Sequence, residues 1–336
     1  MSSTDLSAIW HLIIACIEIV VLMPIYFLIL IAICASRKRD TVFQTHYYTL
    51  VISQGLADFA TICIFGPVSA ARTFGFGNTV VYQIGDFGAA RFLVAGAPYL
   101  LITRGIGVAL ITVQRFLTLC RHHSWLEKQV KGLCPATIIT FHWFLSLLIY
   151  SPGILLSEGS YFENEETLFI ISSGLFNKVS PLCVVTSFFF CTVITITLYA
   201  IIVNFLCSAK KISLVSGKSR TTRSNEYRLC CHVFLLTIVG ILIFFYWLAE
   251  LLYGGESDVS CSIVQNFEVT LQRQVLHVVR ERYPLISGNY TFLNPIVLLV
   301  LNRDIQRVLK RVVQRKKVST ISASGIKGIS MVGVAS

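Results

Sequence analysis

The chain has 336 residues, of which 55% are hydrophobic and only 13% charged, about half the charged share of a soluble domain. With a mean hydropathy of +0.73, this composition excludes both a disordered chain and a soluble globule. The net charge of +11 does not point to a nucleic-acid partner, because the basic residues sit in short segments between apolar runs, as membrane topology requires.

The first apolar run covers 12–35. No basic stretch precedes it and it is longer than the apolar core of a signal peptide, so it reads as an uncleaved helix. Further runs cover 47–71, 92–120, 133–156, 179–206 and 229–253. The seventh, 285–301, is the shortest, and its outer edge is open to extension into 275–279. Each approaches or exceeds the roughly 20 helical residues that cross a bilayer. Pro24, Pro98, Pro152, Pro181 and Pro295 fall inside these runs, where neighbouring helices can re-satisfy the freed backbone groups.

The segments between the runs carry an uneven charge. Twenty Lys and Arg residues lie in 36–46, 121–132, 207–228 and 302–336, against six in 1–11, 72–91, 157–178 and 254–284. Acidic residues run the other way, four against ten. The positive-inside rule therefore places the first set in the cytoplasm and the N-terminus outside. The outer segment 1–11 is too short to be a binding domain of its own. After the seventh run, 302–317 has Ile305, Val308, Leu309, Val312 and Val313 at helical spacing. Arg303, Arg307, Lys310, Arg311 and Arg315 occupy its other faces. This predicts an amphipathic helix on an anionic inner leaflet, held by about 1 kcal/mol per basic residue. The Ser- and Gly-rich 318–336 reads as a flexible tail. The fold class that follows is an all-α membrane protein: a seven-helix transmembrane bundle over 1–301, with the membrane-surface helix behind it.

Chemistry-bearing patterns are few. The 11 cysteines show no CxxC pair or metal spacing, so no metal or cofactor is expected. Most lie in or beside apolar runs and read as small buried hydrophobes. Cys261 falls in a predicted outer loop, and whether it forms a disulfide is open. No paired carboxylates, HExxH or Ser/His constellation shares a depth, so no catalytic residues are assigned and no enzyme is expected. Nor do the two halves show the matched interrupted helices of a secondary transporter. A multi-pass transporter or channel remains the rival class.

Charges inside the runs cost at least about 2.5 kcal/mol at the bilayer centre. There are five: Glu18, Asp58, Arg104, Arg115 and Glu250. Asp58 stands eleven residues into the second run, about 16 Å from its start and near the midplane. Arg104 lies eleven residues before Arg115, a spacing that puts both on one helix face within about 20°. At that depth Arg104 needs an anion, and Asp58 is the acid at the same depth, so the two are expected to pair. Arg115 sits at the inner end of its run, as an anchor or a contact. Glu18 and Glu250 lie nearer the outer ends, facing a ligand or the headgroups. Tyr246 and Trp247 fit an interfacial aromatic belt. His142 and His232 read as interhelical hydrogen-bond partners. Asn289-Tyr290-Thr291 matches a glycosylation sequon but lies within the seventh run, which argues against its use.

Leu56-Ala57-Asp58 in the second run, Gln114-Arg115-Phe116 at the inner end of the third, Trp143 in the fourth and Asn294-Pro295-Ile296-Val297-Leu298 in the seventh together resemble the motifs of rhodopsin-like G-protein-coupled receptors. A narrower resemblance runs through Tyr48-Thr49-Leu50-Val51-Ile52-Ser53-Gln54-Gly55, Gln114 to Cys120, and Asn289 to Pro295. These are similar to nematode serpentine chemoreceptors of the Srv class, in the wider Srg group. The resemblance implies a chemosensory receptor of the plasma membrane, in the sensory cilium of chemosensory neurons. It would bind a small-molecule ligand in the outer half of the bundle and activate a heterotrimeric G protein inside. It implies G-protein coupling through Arg115 with Gln114 and Phe116, and an internal switch at Asp58, Arg104, Asn294 and Pro295. Ligand candidates are Arg91, Tyr99, Trp247, Glu250 and Tyr290. In many rhodopsin-like receptors the equivalent of Asp58 holds a sodium ion. The position eleven before the inner Arg helps to line that site, and here it is Arg104.

The chain departs from the pattern in four places. Gln114 replaces the acid before the inner Arg, and Leu298 replaces the Tyr of the seventh-helix motif. The Trp of the sixth run lacks its following Pro. Neither 72–91 nor 157–178 contains the Cys that the usual outer bridge needs.

Overall fold

The computed structural model describes residues 18–38, 40–75, 77–121, 124–165, 168, 170–216, 220–253 and 293–311. Residues 12–17 of the first run, Cys261, the outer part of the seventh run with Tyr290, the end of the expected amphipathic helix and the tail lie outside these residues. So do the side chains of Glu18 and His232.

Helix α1 (Met23–Ser36) continues from a π-helical turn at Glu18–Leu22, with Pro24 just past the junction. A 3-10 turn at Thr41–Gln44, capped by the Asp40 carboxylate accepting from the Val42 N–H at 3.1 Å, leads into α2 (His46–Phe74). Helix α2 ends at Gly75, whose φ of 66° lets its N–H return to the Ala71 carbonyl at 2.8 Å. Helix α3 (Asn78–Ile84) and a π-turn at Gly85–Ala89 lead into α4 (Ala90–Cys120). Helix α5 (Trp125–Gly132) starts where the Ser124 hydroxyl accepts from the Glu127 N–H at 3.2 Å. Helix α6 (Pro135–Leu156) is followed by a two-stranded antiparallel hairpin, β1 (Tyr161–Phe162) with β2 (Ile170–Ile171). The long α7 (Gly174–Ser216) and α8 (Arg220–Tyr253) follow, and then α9 (293–301) and α10 (303–311).

Among the described residues, five stretches are long and apolar enough to cross a membrane: His46–Val68, Phe87–Cys120, Pro135–Leu156, Gly174–Ser208 and Val233–Leu252. Val20–Ser36 is a shorter apolar helix, and α9 is the described part of the seventh run. Helices α7 and α8 outrun their apolar stretches at the basic end, because hydropathy marks the span while helix propensity continues through Lys, Arg and Ser.

Helix α4 is the hub. It packs against α2, α6, α7 and α8, and 72% of its apolar window is buried, against 17% for α7 and for α8. The outer faces of α7 and α8 carry exposed Phe189, Phe190, Ile196, Phe245 and Leu252, the apolar coat that a lipid solvent calls for. Close approach needs glycine at two points. A Cβ at Gly107 of α4 would overlap the Gln54 amide of α2, and one at Gly85 would overlap the ring of Phe162 in the hairpin. A small second core of Ala71, Ala90, Leu93, Phe162 and Leu168 holds that hairpin against the C-terminal end of α2 and the N-terminal end of α4.

The expectation of buried cysteines is corrected. Among the described residues Cys34, Cys63, Cys134, Cys207 and Cys231 are exposed, and Cys120, Cys183 and Cys191 half-buried. In a membrane bundle the lipid face is as apolar as the core, so an apolar neighbourhood in sequence does not tell inside from outside.

Candidate functional site

Four helices converge on one carboxylate. Arg104 Nε of α4 lies 2.8 Å from Asp58 Oδ1 of α2, with both side chains 1% exposed. The Tyr26 hydroxyl of α1 donates to Asp58 Oδ2 at 2.6 Å. The Asn294 amide of α9 donates to the same Oδ2 at 3.2 Å and to the Tyr26 oxygen at 3.1 Å. Pro295 is buried beside Asn294. Taking two charges out of water is repaid only if the remaining polar capacity is also satisfied. Tyr26 and Asn294 meet that demand on the oxygen that Arg104 Nε does not take. Sequence reading missed Tyr26. Its available signal was a polar tip inside an otherwise aliphatic run, a type of side chain that finds a partner when buried.

A second polar knot ties α2, α4 and α6 nearby. His142 is fully buried. Its Nε2 lies 2.7 Å from the Thr103 carbonyl, and its Nδ1 lies 2.8 Å from Ser53 Oγ. A carbonyl only accepts, so Nε2 carries the proton and Nδ1 accepts from the Ser53 hydroxyl. Ser53 Oγ in turn accepts from the Trp143 indole at 3.1 Å. One tautomer thus satisfies the whole chain. His142 serves as an interhelical bond, as its isolation in the fourth run suggests.

At the C-terminal end of α4, Gln114, Arg115 and Phe116 are half-buried. The Arg115 guanidinium carbon stands 3.9 Å over the ring of Tyr47 at the start of α2. Just before α6, the exposed Cys134 thiol accepts from the Thr137 N–H at 3.4 Å and lies 3.0 Å from the Thr137 hydroxyl. The Thr137 hydroxyl, followed by its N–H, holds this thiol below its ordinary value.

The expected outer-pocket residues fare differently. Tyr99 is half-buried, and its hydroxyl donates to the Trp143 carbonyl at 3.4 Å. Trp247 packs edge-to-face with Tyr246 at 5.6 Å, and the Tyr246 hydroxyl donates to the buried Glu250 at 3.0 Å. Tyr246 is therefore more than a belt residue, a role that follows from its four-residue spacing to Glu250 on one helix face. Arg91 is exposed in the first turn of α4, while Glu250 is buried. Among the described residues, no three His, Cys, Asp or Glu side chains gather as a metal site would need.

A family model described as the serpentine type 7TM GPCR chemoreceptor Srv matches residues 15–315. No curated protein gives a match.

Proposed function

The chain belongs to the Srv family of serpentine seven-transmembrane chemoreceptors, and we propose that it is a G-protein-coupled chemosensory receptor of the plasma membrane in sensory cilia. The N-terminus faces outside. A small molecule binds among the outer halves of the helices, where Tyr99, Trp247 and Glu250 offer aromatic walls and one carboxyl group, with Arg91 as a basic candidate and Tyr290, outside the described residues, as a further candidate from the sequence. Apolar walls with a few polar groups are what small-ligand sites use. Inside, Arg115 with Gln114 and Phe116 contacts a heterotrimeric G protein, and α10 rests on the anionic leaflet, where the 302–317 segment carries its basic residues. Kinship with the wider Srg group goes with this reading.

The observation that carries it is the meeting of α1, α2, α4 and α9 on Asp58. Displacing any of these helices breaks charge-assisted bonds, so the cluster favours discrete arrangements over gradual bending. Ligand binding then acts by preferring one arrangement over another. The sodium ion that the family pattern implies beside Asp58 does not fit these residues. Arg104 takes one carboxylate oxygen, and Tyr26 and Asn294 take the other. The guanidinium supplies the cation with fixed donors, and signalling is expected to be indifferent to replacing sodium by a bulky organic cation.

The test is a second-messenger reporter in cells bearing the full chain, screened against volatile and water-soluble odorant pools beside an ion-flux assay. Odorant-dependent G-protein output without flux supports the reading. Flux that persists when G proteins are blocked would replace the receptor with a transporter or channel.

A further inference from the structure

The first turn of α2 presents an aromatic step to the inner end of α4. Phe43, Tyr47 and Tyr48 are each 4% exposed or less. The Tyr48 ring lies 4.6 Å from Phe43 and, nearly edge-on, 4.9 Å from Tyr47. The Tyr48 hydroxyl donates to Asn302 Oδ1 at 3.3 Å and accepts from Asn302 Nδ2 at 3.1 Å. Asn302 Oδ1 also accepts from the backbone N–H groups of Asp304 and Ile305 at 3.0 and 3.3 Å, capping α10. Ile305 and Val308 of α10 belong to the same core as the three rings. Tyr47 is thus braced edge-on by Tyr48, which Asn302 at the root of α10 holds in turn, and Arg115 covers the Tyr47 face at 3.9 Å.

An interfacial anchor is the plainer role for a Tyr at this depth. An anchor shows its ring and hydroxyl to the headgroups, whereas Tyr47 is buried. A guanidinium over a desolvated ring is instead attracted by the quadrupole of the ring face.

We propose that Tyr47 is a positioning residue for Arg115: its ring holds the guanidinium in a resting place on α2, and activation lifts Arg115 off it. This rests on the reading of Arg115 as the G-protein contact. A contact present in one state and absent in the other biases the equilibrium by its full differential strength. Weakening the contact therefore raises the share of the signalling state before any odorant arrives. The Tyr48–Asn302 bond carries the same bias to α10.

The experiment measures basal G-protein activation by the full chain, without odorant, at matched surface expression. Position 47 is occupied in turn by Tyr, Phe and phenylalanines of increasing fluorination, introduced by nonsense suppression. Fluorine drains the ring quadrupole while nearly preserving size, so a packing role predicts a flat series. The clamp predicts that Phe resembles Tyr and that basal output climbs with each fluorine, to roughly ten-fold. Tyr47→Leu should reach a similar level, and Tyr47→Leu combined with Arg115→Ala should be as silent as Arg115→Ala alone. A flat or falling fluorine series with a silent Arg115→Ala overturns the clamp and leaves the coupling reading standing. Parental signalling by Arg115→Ala overturns both.

Discussion

The two sides of the bundle are built on different physics. On one, α1, α2, α4, α6 and α9 are joined by directional bonds: the Asp58 cluster and the His142 knot. On the other, α7 and α8 meet through rings, with Phe189 and Phe244 6.4 Å apart, while Phe188 of α7 packs toward Gly105 of α4. Lipid is as apolar as Leu, so no hydrophobic drive presses α7 and α8 inward; dispersion between well-fitted surfaces does most of it, beside one buried hydrogen bond between Tyr150 of α6 and Ser180 of α7 at 2.8 Å. Rings can slide and repack, whereas a buried ion pair has few alternative geometries. The lesson is that the polar side is the frame, fixed by directed bonds, while α7 and α8 meet each other through ring contacts.

The largest expected effect comes from attacking the frame at Asp58. Asp58→Asn and Arg104→Ala should each cost about 3–5 kcal/mol by stranding the surviving partner. Both should appear as poor surface delivery and a lowered unfolding temperature in detergent. Asp58→Asn with Arg104→Gln should recover part of the loss, and strictly additive losses would remove the pair from the frame.

His142→Ala comes next. It leaves the Thr103 carbonyl and the Ser53 hydroxyl without their imidazole partner, at about 1–3 kcal/mol. His142→Gln can serve both groups and should fall between Ala and the parent. If both variants unfold at the parental temperature, the knot contributes nothing to the frame.

On the ring side the same measurement should move less. Phe189→Leu or Phe244→Leu removes one ring pair worth about 0.5–1.5 kcal/mol. A loss as large as that at Asp58 would erase the distinction between the two sides.

The smallest effect is local and reads orientation. Because Thr137 lowers the thiol of Cys134, its reactive thiolate persists to lower pH than that of a free cysteine peptide. A membrane-impermeant alkylating reagent should therefore label Cys134 only from the cytoplasmic side, with a rate that falls off at lower pH than the peptide's. Labelling of intact cells from outside would reverse the proposed topology.

The sequence alone determined whatever depends on depth. A bilayer imposes a length and a polarity on each crossing segment, so the apolar runs could be read by counting. Asp58 and Arg104 fall within reach of the same count, since a charge at the midplane needs its opposite at the same level and few residues qualify. Only the tertiary structure decided what depends on rotation about each helix axis and on which helices are neighbours. Tyr26 under Asp58, Tyr47 under Arg115, Ser53 and Thr103 around His142 and the exposed cysteines are all of this kind. In water a polar face marks a helix's outside and so reveals its rotation. In lipid both faces are apolar, and rotation is set by the close packing of one helix on another, as where Gly107 lets α4 approach Gln54.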